Sequence, residues 1–101
     1  MIIYNVTSKV DWSIAEAWLS WMLNEHLPEV LNTGYFHKHQ IAKLIDIDEN
    51  DGPTYTIQYY TDDIEKYNQY ITNHATILRT KAQERWGNQF ASFRTLMEVV
   101  N

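Results

Sequence analysis

Five residues combine reactive or binding side chains with otherwise apolar surroundings: Tyr4, His26, Gln58, His74 and Arg94. His26 stands two residues before Pro28, and a proline inside a helix removes a hydrogen bond and disturbs the turn before it. A break of that kind can aim an imidazole into a cleft, where its pKa suits ligand binding or proton transfer near neutral pH. It can equally leave a partly buried histidine that caps the broken turn. His74 falls on or near the stripe Tyr67, Tyr70, Ile71 and Ile77. There it either lines the same cleft as His26 or is a core histidine satisfied by a tyrosine or a carbonyl. Gln58, between Thr56 and Tyr60, and Arg94, between Ser92 and Leu96, are polar groups within strands, which must find partners or a ligand. Arg94 can clamp a carboxylate bidentately. It can also pair with an acid such as Glu98, or with one across a dimer interface.

Other constellations exclude functions. His37 and His39 share one strand face, but two imidazoles lack the third ligand and outer shell of a site, so no metal is expected. Asp46, Asp48, Glu49 and Asp51 imitate a calcium loop in charge only, because the twelfth-position glutamate is missing; a solvated hairpin is expected. Tyr4, Tyr55 and Tyr59 suit a base-stacking platform, yet the third strand opens Gly52-Pro53-Thr54-Tyr55 rather than Lys/Arg-Gly-aromatic. Thirteen acids against eight bases give a net charge of −5, which opposes phosphate-backbone binding, so no nucleic-acid partner is expected. The chain has no cysteine, which excludes disulfides, thiol chemistry and cysteine-ligated metals. Neither a Gly-rich phosphate loop nor a Gly-x-Ser-x-Gly elbow occurs, and no cofactor is expected.

The elements that must position these side chains are legible from periodicity. The 101 residues suit one domain, residues 1–101, with a single modest core. Ile2 to Val10 alternates as a strand. Asp11 or Ser13 opens a helix, Ser13 followed by Glu16 matching a capping box, with Ile14, Trp18, Trp21 and Met22 on its apolar stripe. This helix is expected to kink or restart at His26-Leu27-Pro28 and to end at Asn32-Thr33-Gly34. Phe36 to Ile45 and Thr54 to Tyr60 alternate as two further strands joined by the acidic hairpin. Thr61, Asp62 and Asp63 offer N-caps for a second helix through about Arg85, closed by Gly87. Gln89 to Val99 is the last strand. The order β-α-β-β-α-β predicts an α+β, ferredoxin-like plait: a four-stranded antiparallel sheet with both helices on one face.

Two helices leave the other face of such a sheet open. With four Trp and seven Tyr among 14% aromatic residues, both faces are expected to carry large apolar or aromatic groups. An uncovered apolar face marks an interaction surface, and a twofold homodimer packed sheet against sheet is the economical way to cover it. No apolar run approaches the roughly 18 residues of a membrane span. The N-terminus has no basic segment ahead of a long apolar stretch, so neither a membrane partner nor a secretory signal is expected, and a cytoplasmic location is.

The run Met1-Ile2-Ile3-Tyr4-Asn5-Val6-Thr7 resembles the start of a small bacterial domain-of-unknown-function family of the dimeric α+β-barrel group. So do Trp21-Met22, His26-Leu27-Pro28-Glu29-Val30-Leu31 and Thr33-Gly34 in the first helix. Tyr55-Thr56-Ile57-Gln58-Tyr59, His74-Ala75 and Phe93-Arg94-Thr95-Leu96 match in order and spacing. The resemblance implies a homodimeric barrel and carries no activity or catalytic residues with it. More widely, the His-x-Pro helix end is similar to small plait-fold monooxygenases, decarboxylases and isomerases.

Two functions compete on these grounds. One is a homodimer whose helix–sheet cleft binds a small, partly aromatic or acidic molecule through Tyr4, His26, Gln58, His74 and Arg94. If it is catalytic, cofactor-free oxygenation, isomerisation or decarboxylation by a histidine proton shuttle is the class. The other is a non-catalytic protein-interaction module, motivated by Trp12, Trp18 and Trp21, with Trp86 beside Gly87 as its exposed anchor.

Overall fold

Alternation builds the centre of the molecule. In β1 (Ile2–Val10) the side chains of Tyr4, Val6 and Val10 join the core, while Ile3, Asn5 and Thr7 point to the opposite face. The computed structural model describes residues 1–101. Its sheet has the order β2-β3-β1-β4, with β2 at Lys38–Lys43, β3 at Thr54–Thr61 and β4 at Phe90–Glu98. Every neighbouring pair is antiparallel: β1 matches Tyr4 to Tyr59 on β3 and Val6 to Arg94 on β4, and β2 matches Ile41 to Ile57. With one helix after β1 and one after β3, this is the ferredoxin-like arrangement of an α+β plait.

Helix α1 (residues 15–32) runs as Ala15–Trp21, a wide π turn at Met22–His26, and Leu27–Asn32. It neither restarts nor caps at His26. The Leu27 N–H reaches back to the Met22 carbonyl, and this wider turn relieves the clash that Pro28 would make with an α-helical carbonyl at Asn24. The Ser13–Glu16 capping box does not form. A 3₁₀ turn at Trp12–Ile14 starts the helix instead, and the Ser13 hydroxyl accepts from the Gln89 amide at 3.3 Å.

Helix α2 (residues 64–86) opens at Asp63, whose Oδ1 accepts the Lys66 N–H at 3.0 Å, and closes at Gly87 with φ +60°. A second π turn, Ile71–Ala75, interrupts it without any proline. The extra residue in that turn moves the buried line onto Ala75, Leu78, Ala82 and Trp86, and Ile77 is left exposed.

Most of the aromatics lie on the helix side of the sheet. Tyr4 packs on Phe36, Tyr59, Tyr67 and Tyr70, Trp18 stacks on Tyr55, and Trp86 meets Trp21 edge-on at 5.9 Å. One expectation is therefore corrected: Trp86 is buried at 8% exposure rather than presented as an anchor. The open face carries large apolar and aromatic groups as expected, Ile3, Tyr60, Phe93 and Met97, which share it with Asn5, Thr7, Thr56, Gln58 and Thr95. The strand alternation that turns Tyr4, Tyr55 and Tyr59 inward turns these neighbours outward. No helix is long and apolar enough to cross a membrane.

Candidate functional site

The π turn of α1 sets His26 at the mouth of a cleft between both helices and the β1–β4 side of the sheet. The cavity there holds about 370 Å³ and is walled by Trp18, Trp21, Met22, Phe90 and Ala82, with His26, Arg79 and Arg94 as its ionisable members. A smaller space of about 40 Å³ continues inward along Tyr4, Tyr59 and Tyr70 and shares His26, Arg79 and Arg94 with the first. Wide π turns recur at functional sites because they displace a side chain from its α-helical direction.

His26 stacks on Trp21 with ring centroids 4.8 Å apart. Burial lowers its pKa from 6.5 to about 4, Arg94 and Lys81 adding to the fall and Glu29 opposing it. At neutral pH the imidazole is therefore uncharged, with one nitrogen free to accept a proton. The phenols behind it are protonated too, since burial raises the pKa of Tyr59, Tyr70 and Tyr67. Tyr4 lines the smaller inner space. Its hydroxyl accepts one hydrogen bond from Arg79 Nη2 and one from Arg94 Nε, each at 3.1 Å. The wall of β1 and β4 adds the Ser8 and Ser92 hydroxyls, 2.6 Å apart.

Of the five residues singled out in the sequence, Tyr4, His26 and Arg94 come together here. Gln58 does not. It pairs across the sheet with Asn5 and Gln40 on the open face, where its Oε1 accepts the Tyr60 hydroxyl at 3.0 Å. Its neighbours Ile57 and Tyr59 face inward, and strand parity sends Gln58 the other way. His74 stands apart from His26, packed between Tyr35 and Tyr70 beside a separate depression shared with Glu29 and Thr33. Helix α2 presents Leu78, Arg79 and Ala82 to the cleft, and His74 lies off that line. Arg94 bonds to Tyr4 and forms no ion pair with Glu98. Arg79, which sequence reasoning missed, is the second cation of the site; its one local signal is the absence of an acid three or four residues away on its helix. His37 contacts Asp62 at 3.2 Å, away from the cleft.

Solved structures share this architecture across nearly the whole chain. An ethyl tert-butyl ether D (EthD) family protein from Bacillus halodurans is similar at 14% identity and a TM-score of 0.70, covering 99% of this chain and 100% of its own. A dimeric ferredoxin-like protein from an uncultured marine organism is similar at 10% identity and a TM-score of 0.74, covering 99% and 95%. The cofactor-independent oxygenase SnoaB from Streptomyces nogalater is similar at 9% identity and a TM-score of 0.69, covering 99% and 94%. Identities this low establish the fold alone. No curated protein matches the sequence. The model of one family, Domain of unknown function (DUF4286), matches residues 1–100, and the chain belongs to that family.

Proposed function

We propose that the chain works as a cytoplasmic homodimer that binds a small, partly aromatic or acidic molecule in the cleft between helices and sheet. The observation that carries this reading is the cavity of about 370 Å³, in which an uncharged His26 opens onto aromatic and apolar walls. Enclosed apolar surface with a few convergent polar groups is the usual make-up of a small-molecule site. The homodimer is supported by the dimeric description of the ferredoxin-like neighbours and by exposed Phe93 on the open sheet face.

Native mass spectrometry of protein purified gently from its own cells tests the reading. A dimer carrying a small extra mass is the expected result, and Trp21→Ala should lose the adduct while keeping the dimer. Bare protein under conditions that preserve weak complexes would count against it. A second reading, cofactor-free proton-transfer chemistry, is favoured by the uncharged His26 imidazole at the cavity. On that reading the recovered molecule is turned over by the wild type and left unchanged by His26→Gln.

A further inference from the structure

The two arginines of the cleft are placed as an anion trap. Lys9, Lys43, Lys81 and Arg85 each lie within ion-pair distance of a carboxylate; Lys38, Lys66, Arg79 and Arg94 do not, and of these four only the two arginines line the cleft. That contrast occurs in a chain with thirteen acids and eight bases, where acids are in surplus. Both guanidiniums sit 3.1 Å from the same Tyr4 oxygen, so two like charges are held side by side with the Tyr4 hydroxyl between them. Both side chains are exposed, so water screens their mutual repulsion, and an anion bridging them would relieve what remains. Tyr4 engages one donor of each five-donor fork, leaving the others free. No acid lines the cavity, and with His26 neutral the pair is its net charge even though the protein as a whole is acidic.

We infer that the cleft is a receptor for an oxyanion borne on an apolar body, with the headgroup seated on Arg79 and Arg94 and the body packed against Trp21 and Phe90. This rests on the ligand-binding reading of the same cleft. A carboxylate and a phosphate monoester both offer the paired oxygens that a guanidinium fork matches.

Isothermal titration calorimetry of the full chain with hydrocinnamate, phenethyl phosphate and hydrocinnamyl alcohol separates the possibilities. At least one anion should bind roughly tenfold or more tighter than the alcohol, and the better anion identifies the headgroup. The double variant Arg79→Gln/Arg94→Gln should lose that preference while its melting temperature stays close to that of the wild type. Should the double variant not fold, Arg94→Lys keeps the charge without the fork, and at least a threefold loss of anion affinity is expected. An alcohol that binds as tightly as both anions overturns the oxyanion inference and leaves the cleft reading standing. An anion preference that survives the double variant, or an unaltered one in Arg94→Lys, overturns it as well. If none of the three probes binds at millimolar concentration, both readings fall.

Discussion

At the residue scale, His26 shows how tertiary burial overrules a side chain's ordinary chemistry. Folding lowers its pKa from 6.5 to about 4, chiefly by desolvation. Between those values the unfolded chain holds more protons than the native one, so stability falls as pH drops from 6.5 toward 4 and the loss levels off below that. The loss approaches about 3 kcal/mol if the whole shift is realised. Denaturant unfolding of wild type and His26→Gln at pH 7 and pH 4.5 reads it directly. The wild type should lose more stability than the variant between the two conditions, and equal losses would refute the assignment. That His26 lies at an irregularity of its helix was legible from Pro28, because a helix-breaking residue two positions on is a local signal. Gln58 was misplaced although its own strand held the answer: the residues beside it, Ile57 and Tyr59, are the inward pair, and parity excludes Gln58 from the cleft. Arg79 carried little local signal, since its partner in the site, Tyr4, is 75 residues away in sequence.

At the element scale, the segment between β2 and β3 is held down more firmly than a solvated hairpin. Trp12 Nε1 donates to the Glu49 carbonyl at 2.7 Å, and the Val10 N–H donates to the Pro53 carbonyl at 3.0 Å. The close approach depends on Gly52, which has φ +151° and where a Cβ would lie 1.7 Å from the Val10 carbonyl oxygen. Gly52→Ala should therefore cost about 3 kcal/mol or more, by forcing the loop off the end of β1. Gly34 offers the contrast: its φ is +84° but nothing lies within 4 Å of an added Cβ, so Gly34→Ala should cost only about 1 kcal/mol. Urea midpoints of the two variants check the ranking, and equal midpoints would contradict the docking of this loop. Strand and helix limits were readable to within a few residues because alternation and caps are local. The π turn at Ile71–Ala75 was not, because no proline or glycine marks it. Its consequence, the outward turn of Ile77, escaped with it.

At the scale of the whole molecule, the cleft and the open sheet face share one strand. Arg94 points from β4 to the helix side, and the adjacent Phe93 points to the open side, where it is 64% exposed. Leu96, opposite Tyr4 on the helix side, is also exposed, so this edge strand lacks cover on both faces. A long uncovered edge strand invites pairing or packing with another chain. The large aromatic load reported on this surface only in part, because alternation placed Tyr4, Tyr55 and Tyr59 inside; Ile3, Tyr60, Phe93 and Met97 are its large groups. On the proposed dimer, Phe93 is the largest apolar group available to the interface, and Phe93→Asp would set a carboxylate there. The wild type should run in light scattering at twice the 12.0 kDa of the chain. The variant should dissociate with a constant raised on the order of a hundredfold. A circular dichroism melt within a few degrees of the wild type would show that the variant is folded. A monomeric wild type would remove the sheet-to-sheet dimer altogether. A variant as tightly dimeric as the wild type would move the interface away from the open face, and with it the idea that one strand couples assembly to the cleft.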